Sequence, residues 1–130
     1  MASEDVWILG SNMTRFGKHP DEDLIDLAAE ASLAALGDAG VNMKDVQILG
    51  FGCLMGGASG QTLQKAIGQT GIPVFNVSNA CATGATALRV AVMAVKAGEV
   101  DVGMAVGGPS WRGDESAGLY GMWVAPDARG

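Results

Sequence analysis

Val74-Phe75-Asn76-Val77-Ser78-Asn79-Ala80-Cys81-Ala82-Thr83-Gly84-Ala85 is the stretch on which the reading of the fold turns. Its first residues, Val74 to Ser78, carry the β-branched and aromatic side chains of a short strand. A helical pattern of small and apolar residues follows at once, from about Ala82 to Ala97. Gly98 closes that helix, and Val100 to Val106 reads as the next strand. Strand, helix and strand in direct succession predict a βαβ crossover in a parallel sheet. Thr83, Thr86, Arg89 and Lys96 are the helix's only obviously polar positions, so a helix buried nearly all round is expected.

Working outward toward the N-terminus, the same alternation repeats. Val46 to Cys53 is an apolar run interrupted by Gly50 and Gly52, which reads as a strand whose glycines point to close backbone approach or to packing against a helix. A glycine-rich loop, Leu54 to Gly60, leads to a short helix with Leu63, Ala66, Ile67 and Thr70 on one side, ending before Gly71-Ile72-Pro73. Earlier still, Asp21, Glu22 and Asp23 crowd the start of a helical pattern, where carboxylates suit the positive end of the dipole. Leu24, Leu27, Ala28, Ala31 and Ala35 give that helix its apolar stripe, and Gly37 or Gly40 stops it. Val6-Trp7-Ile8-Leu9-Gly10 reads as a buried first strand. The fold class expected is α/β, a layered βαβαβαβ arrangement with a mostly parallel sheet. Residues 1–108 carry this pattern; in 109–130 it dissolves, and a lid or interface loop is expected there, continued beyond the chain or in a partner.

Composition narrows the function classes. Charged residues make up 17% of the chain and apolar ones 48%, which fits a globular core rather than a disordered segment. The net charge of −6, with the eight Lys and Arg residues dispersed singly, argues against nucleic-acid binding. No stretch reaches the length of a membrane span, and the acidic Met1 to Asp5 lacks a signal-peptide pattern, so a cytoplasmic protein is expected. Cys53 and Cys81 are the only cysteines and His19 the only histidine, which supports neither a disulfide framework nor a structural metal site.

The chemistry centres on Cys81. The nucleophile of cysteine chemistry is the thiolate, and a helix N-terminus stabilises a negative charge by about 0.3–1 kcal/mol. Backbone N–H groups at the same turn can hold an oxyanion. A helix end alone does not supply proton transfer, and His19 lies in a loop that nothing in the sequence brings near Cys81. Ala82, Gly84 and Ala85 leave room beside the sulfur for a thioester. The plain alternative is that Cys81 is a small buried hydrophobe. Cys53, in its glycine-broken strand, reads as structural. The loop Gly56 to Thr62 could bind an anion, but it lacks the lysine of a phosphate-binding loop. Arg15 and Lys18 read as solvated charges.

The run NVSNACATGATAL, Asn76 to Leu88, resembles the nucleophile motif of the thiolase superfamily, of the sterol-carrier or lipid-transfer type. TRFGK (Thr14 to Lys18), DLAAEASLAALGDAG (Asp26 to Gly40) and AGEVDVGMAVGG (Ala97 to Gly108) are similar to family sequence too, so the likeness extends from about Trp7 to Gly108. The resemblance implies that Cys81 is acylated by a lipid-derived 3-ketoacyl-CoA and that its amide also serves an oxyanion hole. Asn79 and Gly84, on either side, are the expected substrate contacts. No bound cofactor or metal is implied; coenzyme A is a substrate. The family fold consists of two similar halves assembled as oligomers, so the expected partners are an acyl-CoA thioester and either a second copy or a second thiolase-half polypeptide, with room for a small accessory protein.

Two departures stand beside the likeness. The histidine, second cysteine and oxyanion-hole residue that family enzymes take from their second half are not in this chain. Gly107-Gly108-Pro109-Ser110-Trp111 also replaces the family's glycine, acidic residue and methionine. Alternatives to acyl transfer are therefore a retro-aldol lyase subunit of sterol side-chain degradation, or a non-catalytic lipid-transfer or truncated subunit.

Overall fold

The computed structural model describes residues 5–17, 19–54, 58–108 and 120–126, the last of these as backbone. Strands β1 (Val6–Trp7) and β2 (Ser11–Met13) precede helix α1 (Leu24–Ala39), followed by β3 (Ile48–Cys53), α2 (Gly60–Ile67), β4 (Val74–Val77), α3 (Thr83–Lys96), β5 (Gly103–Gly108) and β6 (Tyr120–Pro126). The sheet runs β1-β6-β5-β3-β4, with β2 also paired to β6. β3 lies parallel to both β4 and β5, while β6 is antiparallel to β5, β1 and β2. The parallel trio is the part that the βαβ pattern of the sequence predicts.

Register sorts the two faces of the sheet. Leu49 lies beside Met104 and Phe51 beside Val106, and all four belong to the core that α1 and α2 cover. The alternate residues, Gly50, Gly52, Gly103, Ala105 and Gly107, face α3. A Cβ on Gly50 would lie 2.5 Å from the Ala87 carbonyl oxygen, so α3 seats its backbone directly on the sheet. That is the close approach the glycines inside the second apolar run predict.

Local chemistry sets the helix ends. Asp23 caps α1: its carboxylate accepts the Asp26 N–H at 2.8 Å, and the Asp26 carboxylate accepts the Asp23 N–H at 3.1 Å. The helix runs through Gly37 and stops at Gly40, which takes the left-handed conformation at φ 70. Ser59 caps α2, accepting the Thr62 N–H.

Several expectations are corrected. Val6 to Gly10 is not one buried strand: Trp7 is 52% and Ile8 56% exposed. Among the described residues β1 has a single neighbour, β6, and an outermost strand of two residues cannot bury an apolar run. α2 ends at Ile67, short of Thr70, and it turns Ala66 to solvent while burying Leu63 and Gln64. α3 is not buried all round; Ala87, Ala91, Ala94 and Val95 face inward, whereas Ala85, Arg89 and Met93 are exposed. Finally, Tyr120–Pro126 is a strand inside a stretch expected as a loop. Its residues Tyr120, Met122, Trp123 and Val124 are good strand formers, but Gly121 and the glycine-rich run ahead of them obscure the period. The rest of 109–130 lies outside the described residues.

Candidate functional site

β4 ends at Val77, and the chain reaches α3 through Ser78 to Ala82. Ala82 is the N-cap and α3 starts at Thr83, so Cys81 stands just outside the first turn, one position further out than expected. The chain reverses through Ala80, whose φ of 46 is the only positive value at a non-glycine among the described residues. Cys81 is exposed and unpaired with another cysteine. It is therefore not the small buried hydrophobe of the alternative reading.

The surroundings suit a nucleophile. No side chain among the described residues caps α3, and no acidic residue occupies its first turn. Among the described residues, the amides of Cys81, Gly84 and Ala85 have no acceptor, while those of Ala82 and Thr83 close the turn onto the carbonyls of Asn79 and Ala80. Free amides at a helix start carry the partial positive charge that favours an anion there. Gly84 is exposed, and a Cβ built on it would meet nothing within 4 Å. There is open space at Gly84, three residues along from Cys81.

Other expected participants lie elsewhere. Asn79 directs its Nδ2 to the Thr86 hydroxyl at 3.1 Å. His19 sits before α1, its Nε2 2.8 Å from the Arg15 carbonyl oxygen and its Nδ1 3.2 Å from the Glu22 carboxylate. Both ring nitrogens are engaged within that loop. Cys53 is half-buried and packs against the α1 and α2 core, together with Leu49 and Phe51. Of the glycine-rich loop, 55–57 lie outside the described residues, as does Lys18. At the start of α2, Asn76 Oδ1 accepts the Gly60 N–H at 2.8 Å and Ser59 Oγ accepts the Thr62 N–H, so two amides an anion would need are already bonded. No group of three or more His, Cys, Asp and Glu side chains that could hold a metal assembles among the described residues. None of the helices described is long and apolar enough to cross a membrane.

Sequence reasoning missed Thr83 and Thr86. A signal was present: threonines two and five places after a turn cysteine can each return a hydroxyl to a carbonyl of the preceding turn.

Residues 6–111 match the family model of the thiolase N-terminal domain. The chain belongs to the thiolase family. Sterol carrier protein 2 of Gallus gallus is 40% identical over 107 residues, covering 78% of this chain and 19% of the relative. Non-specific lipid-transfer protein-like 2 of Caenorhabditis elegans is 39% identical over 106 residues, covering 78% and 26%. An acetyl-CoA acetyltransferase of Methanothermobacter thermautotrophicus is 35% identical over 109 residues, covering 79% and 28%. This thiolase-family chain thus spans about a quarter of the length of these curated relatives.

Solved structures show the same fold at low identity. The 3-oxoacyl-acyl-carrier-protein synthase III of Aquifex aeolicus superposes with a TM-score of 0.81 at 16% identity, covering 95% of this chain and 55% of that one. The Xanthomonas campestris protein OleA gives 0.80 at 15% identity, covering 95% and 57%.

Proposed function

We propose that this thiolase-family protein transfers acyl groups from a lipid-derived 3-ketoacyl-CoA through a covalent acyl-cysteine at Cys81. The observation that carries the reading is the exposed Cys81, held at the start of α3 beside unbonded amides and the open space at Gly84. Relatives named as an acetyl-CoA acetyltransferase and as a benzoylsuccinyl-CoA thiolase subunit lend it support.

In this mechanism the Cys81 thiolate attacks the C3 carbonyl carbon, and the resulting oxyanion takes a hydrogen bond from the Cys81 amide. Collapse breaks the C2–C3 bond; the electron pair leaves on C2 and is protonated to give acetyl-CoA or propionyl-CoA. The acyl group stays as a thioester on Cys81 until the thiol of a second coenzyme A attacks it and restores the thiolate. Coenzyme A is thus a substrate, not a resident cofactor. Both proton transfers need an acid and base that His19 cannot provide from its loop. They come from the remainder of the full protein, a second copy or a partner polypeptide, and the reaction belongs in the cytoplasm.

The complete protein, mixed with a 3-ketoacyl-CoA, should gain an acyl mass located on Cys81, and Cys81→Ala should lose both the adduct and turnover. Normal turnover by Cys81→Ala overturns the reading. An aldehyde or ketone product formed without consumption of coenzyme A marks a lyase instead. A non-catalytic lipid carrier is the second reading, favoured by relatives named for sterol carriage and lipid transfer; it predicts lipid binding with no adduct on Cys81.

A further inference from the structure

Cys81 lies between two carbonyls, those of Ala80 and Ala82, and each accepts a threonine hydroxyl. Thr83 Oγ1 donates to the Ala80 carbonyl at 2.7 Å, and Thr86 Oγ1 donates to the Ala82 carbonyl at 2.9 Å. A hydroxyl has one proton to give and lone pairs left to accept with. Asn79 donates to both: its backbone N–H reaches Thr83 Oγ1 at 2.8 Å, and its Nδ2 reaches Thr86 Oγ1 at 3.1 Å. A single residue on one side of Cys81 is thereby tied to two on the other.

The turn needs such a tie. Ala80, at φ 46, occupies the left-handed region that a residue with a Cβ avoids. Thr83 is itself fixed from below, being buried against β3; a Cβ on Gly52 would come within 3.0 Å of its Cγ2 and 2.9 Å of its carbonyl oxygen. The sheet therefore holds Thr83, Thr83 holds the Ala80 carbonyl, and the reversal at Ala80 determines where the Cys81 sulfur and amide stand.

We propose that Asn79, Thr83 and Thr86 form a positioning clamp for Cys81, keeping its thiol and amide registered on the free end of α3. The proposal rests on the nucleophile reading of Cys81 and assigns Asn79 to holding the turn rather than to touching substrate. None of the three residues reacts.

The test measures two rates in the complete protein. One is single-turnover acylation of Cys81 by a 3-ketoacyl-CoA; the other is alkylation of Cys81 by iodoacetamide, with Cys53 in the same molecule as reference. Thr83→Val removes the hydroxyl and keeps the shape. It should slow acylation about tenfold at an unchanged half-saturating concentration, and slow Cys81 alkylation relative to Cys53 by a similar factor, the scale set by losing support for a left-handed alanine. Thr83→Ser should remain within about threefold of wild type, because the hydroxyl is what acts. Adding Ala80→Gly to Thr83→Val should restore most of the lost rate, since glycine adopts the turn unaided. A merely structural role for Thr83 predicts no such rescue. If Thr83→Val does not fold, Asn79→Ala decides, because that side chain is exposed; it frees Thr86 alone and keeps the backbone bond to Thr83, so it should slow both rates by a smaller factor, about threefold. Cys81 rates within twofold of wild type in every folded variant overturn the clamp. A wild type that forms no acyl-Cys81 overturns the nucleophile reading instead, and the alkylation ratio still decides the clamp.

Discussion

At Ser32 the structure conflicts with the chemistry of its own core. The residue lies mid-helix in α1, fully buried between Ala28 and Ala35, and among the described residues its Oγ has no hydrogen-bond partner. A buried polar atom left unsatisfied costs about 1–3 kcal/mol, and alanine is the better helix former. Ser32→Ala should therefore stabilise the protein by about 1 kcal/mol, seen as a higher urea midpoint at an unchanged slope. A lower midpoint would mean that the hydroxyl finds a partner in solution. Gly84 poses the opposite case, with open space where a side chain would go. Gly84→Val should fold with stability changed by no more than about 1 kcal/mol, since valine is no worse than glycine as a helix former. Acylation of Cys81 should nonetheless fall at least about tenfold if the acyl chain uses the space at Gly84, because the stiff branched side chain fills it. If acylation stays within twofold, the acyl chain lies elsewhere.

At the scale of elements, the seat of α3 on the sheet can be tested directly. A Cβ on Gly50 would lie 2.5 Å from the Ala87 carbonyl oxygen, backbone against backbone, so no side-chain rotation relieves it. Gly50→Ala should cost about 1–3 kcal/mol as α3 is forced off β3. Gly37→Ala is the matched control: it lies within α1 with nothing within 4 Å of its Cβ position, so it should stabilise by up to about 1 kcal/mol. Equal effects from both substitutions in urea unfolding would refute the seat. The glycines in Val46 to Cys53 were legible in the sequence because a glycine in an apolar strand forgoes side-chain packing, which leaves close backbone approach as its use. The parallel trio and α1 were legible too, because short apolar runs alternate with helical patterns in direct succession and α1 carries a clear apolar stripe. β1 and β6 were not. An apolar run such as Val6 to Gly10 reads as buried whether or not anything covers it, and the antiparallel pairing that joins β1 to β6 spans more than a hundred residues. Composition likewise could not reveal that α3 leaves Met93 in solvent. At the candidate site, the turn that carries Cys81 between β4 and α3 was legible. The hydroxyl bonds of Thr83 and Thr86 did not, because a helix-face threonine carries the same letter whether it faces water or a carbonyl.

At the scale of the whole molecule, one flank of the sheet is open among the described residues. β4 pairs with β3 on one side only, and among the described residues no strand occupies the other. Phe75, on the same face as α3, is 49% exposed in that strand. An outer strand with unpaired N–H and C=O groups and an exposed aromatic side chain is a template for another strand. β4 also leads directly into the Cys81 turn, so whatever pairs there stands next to the candidate site. If a second copy pairs along β4, two physical consequences are expected. Placing a lysine at the edge opposes pairing, so Phe75→Lys should weaken association at least about tenfold in sedimentation at micromolar concentration. Each copy carries a net charge of −6, so two copies repel. Screening that repulsion should make wild-type association tighter, not weaker, as salt rises from about 0.05 M to 0.5 M, where the Debye length falls from roughly 14 Å to about 4 Å. Because Phe75→Lys also removes part of the repulsion, association by general surface contact predicts that the variant self-associates more tightly than wild type. A tighter variant, or a wild type that sediments as a monomer at every salt concentration, would remove β4 as an interface.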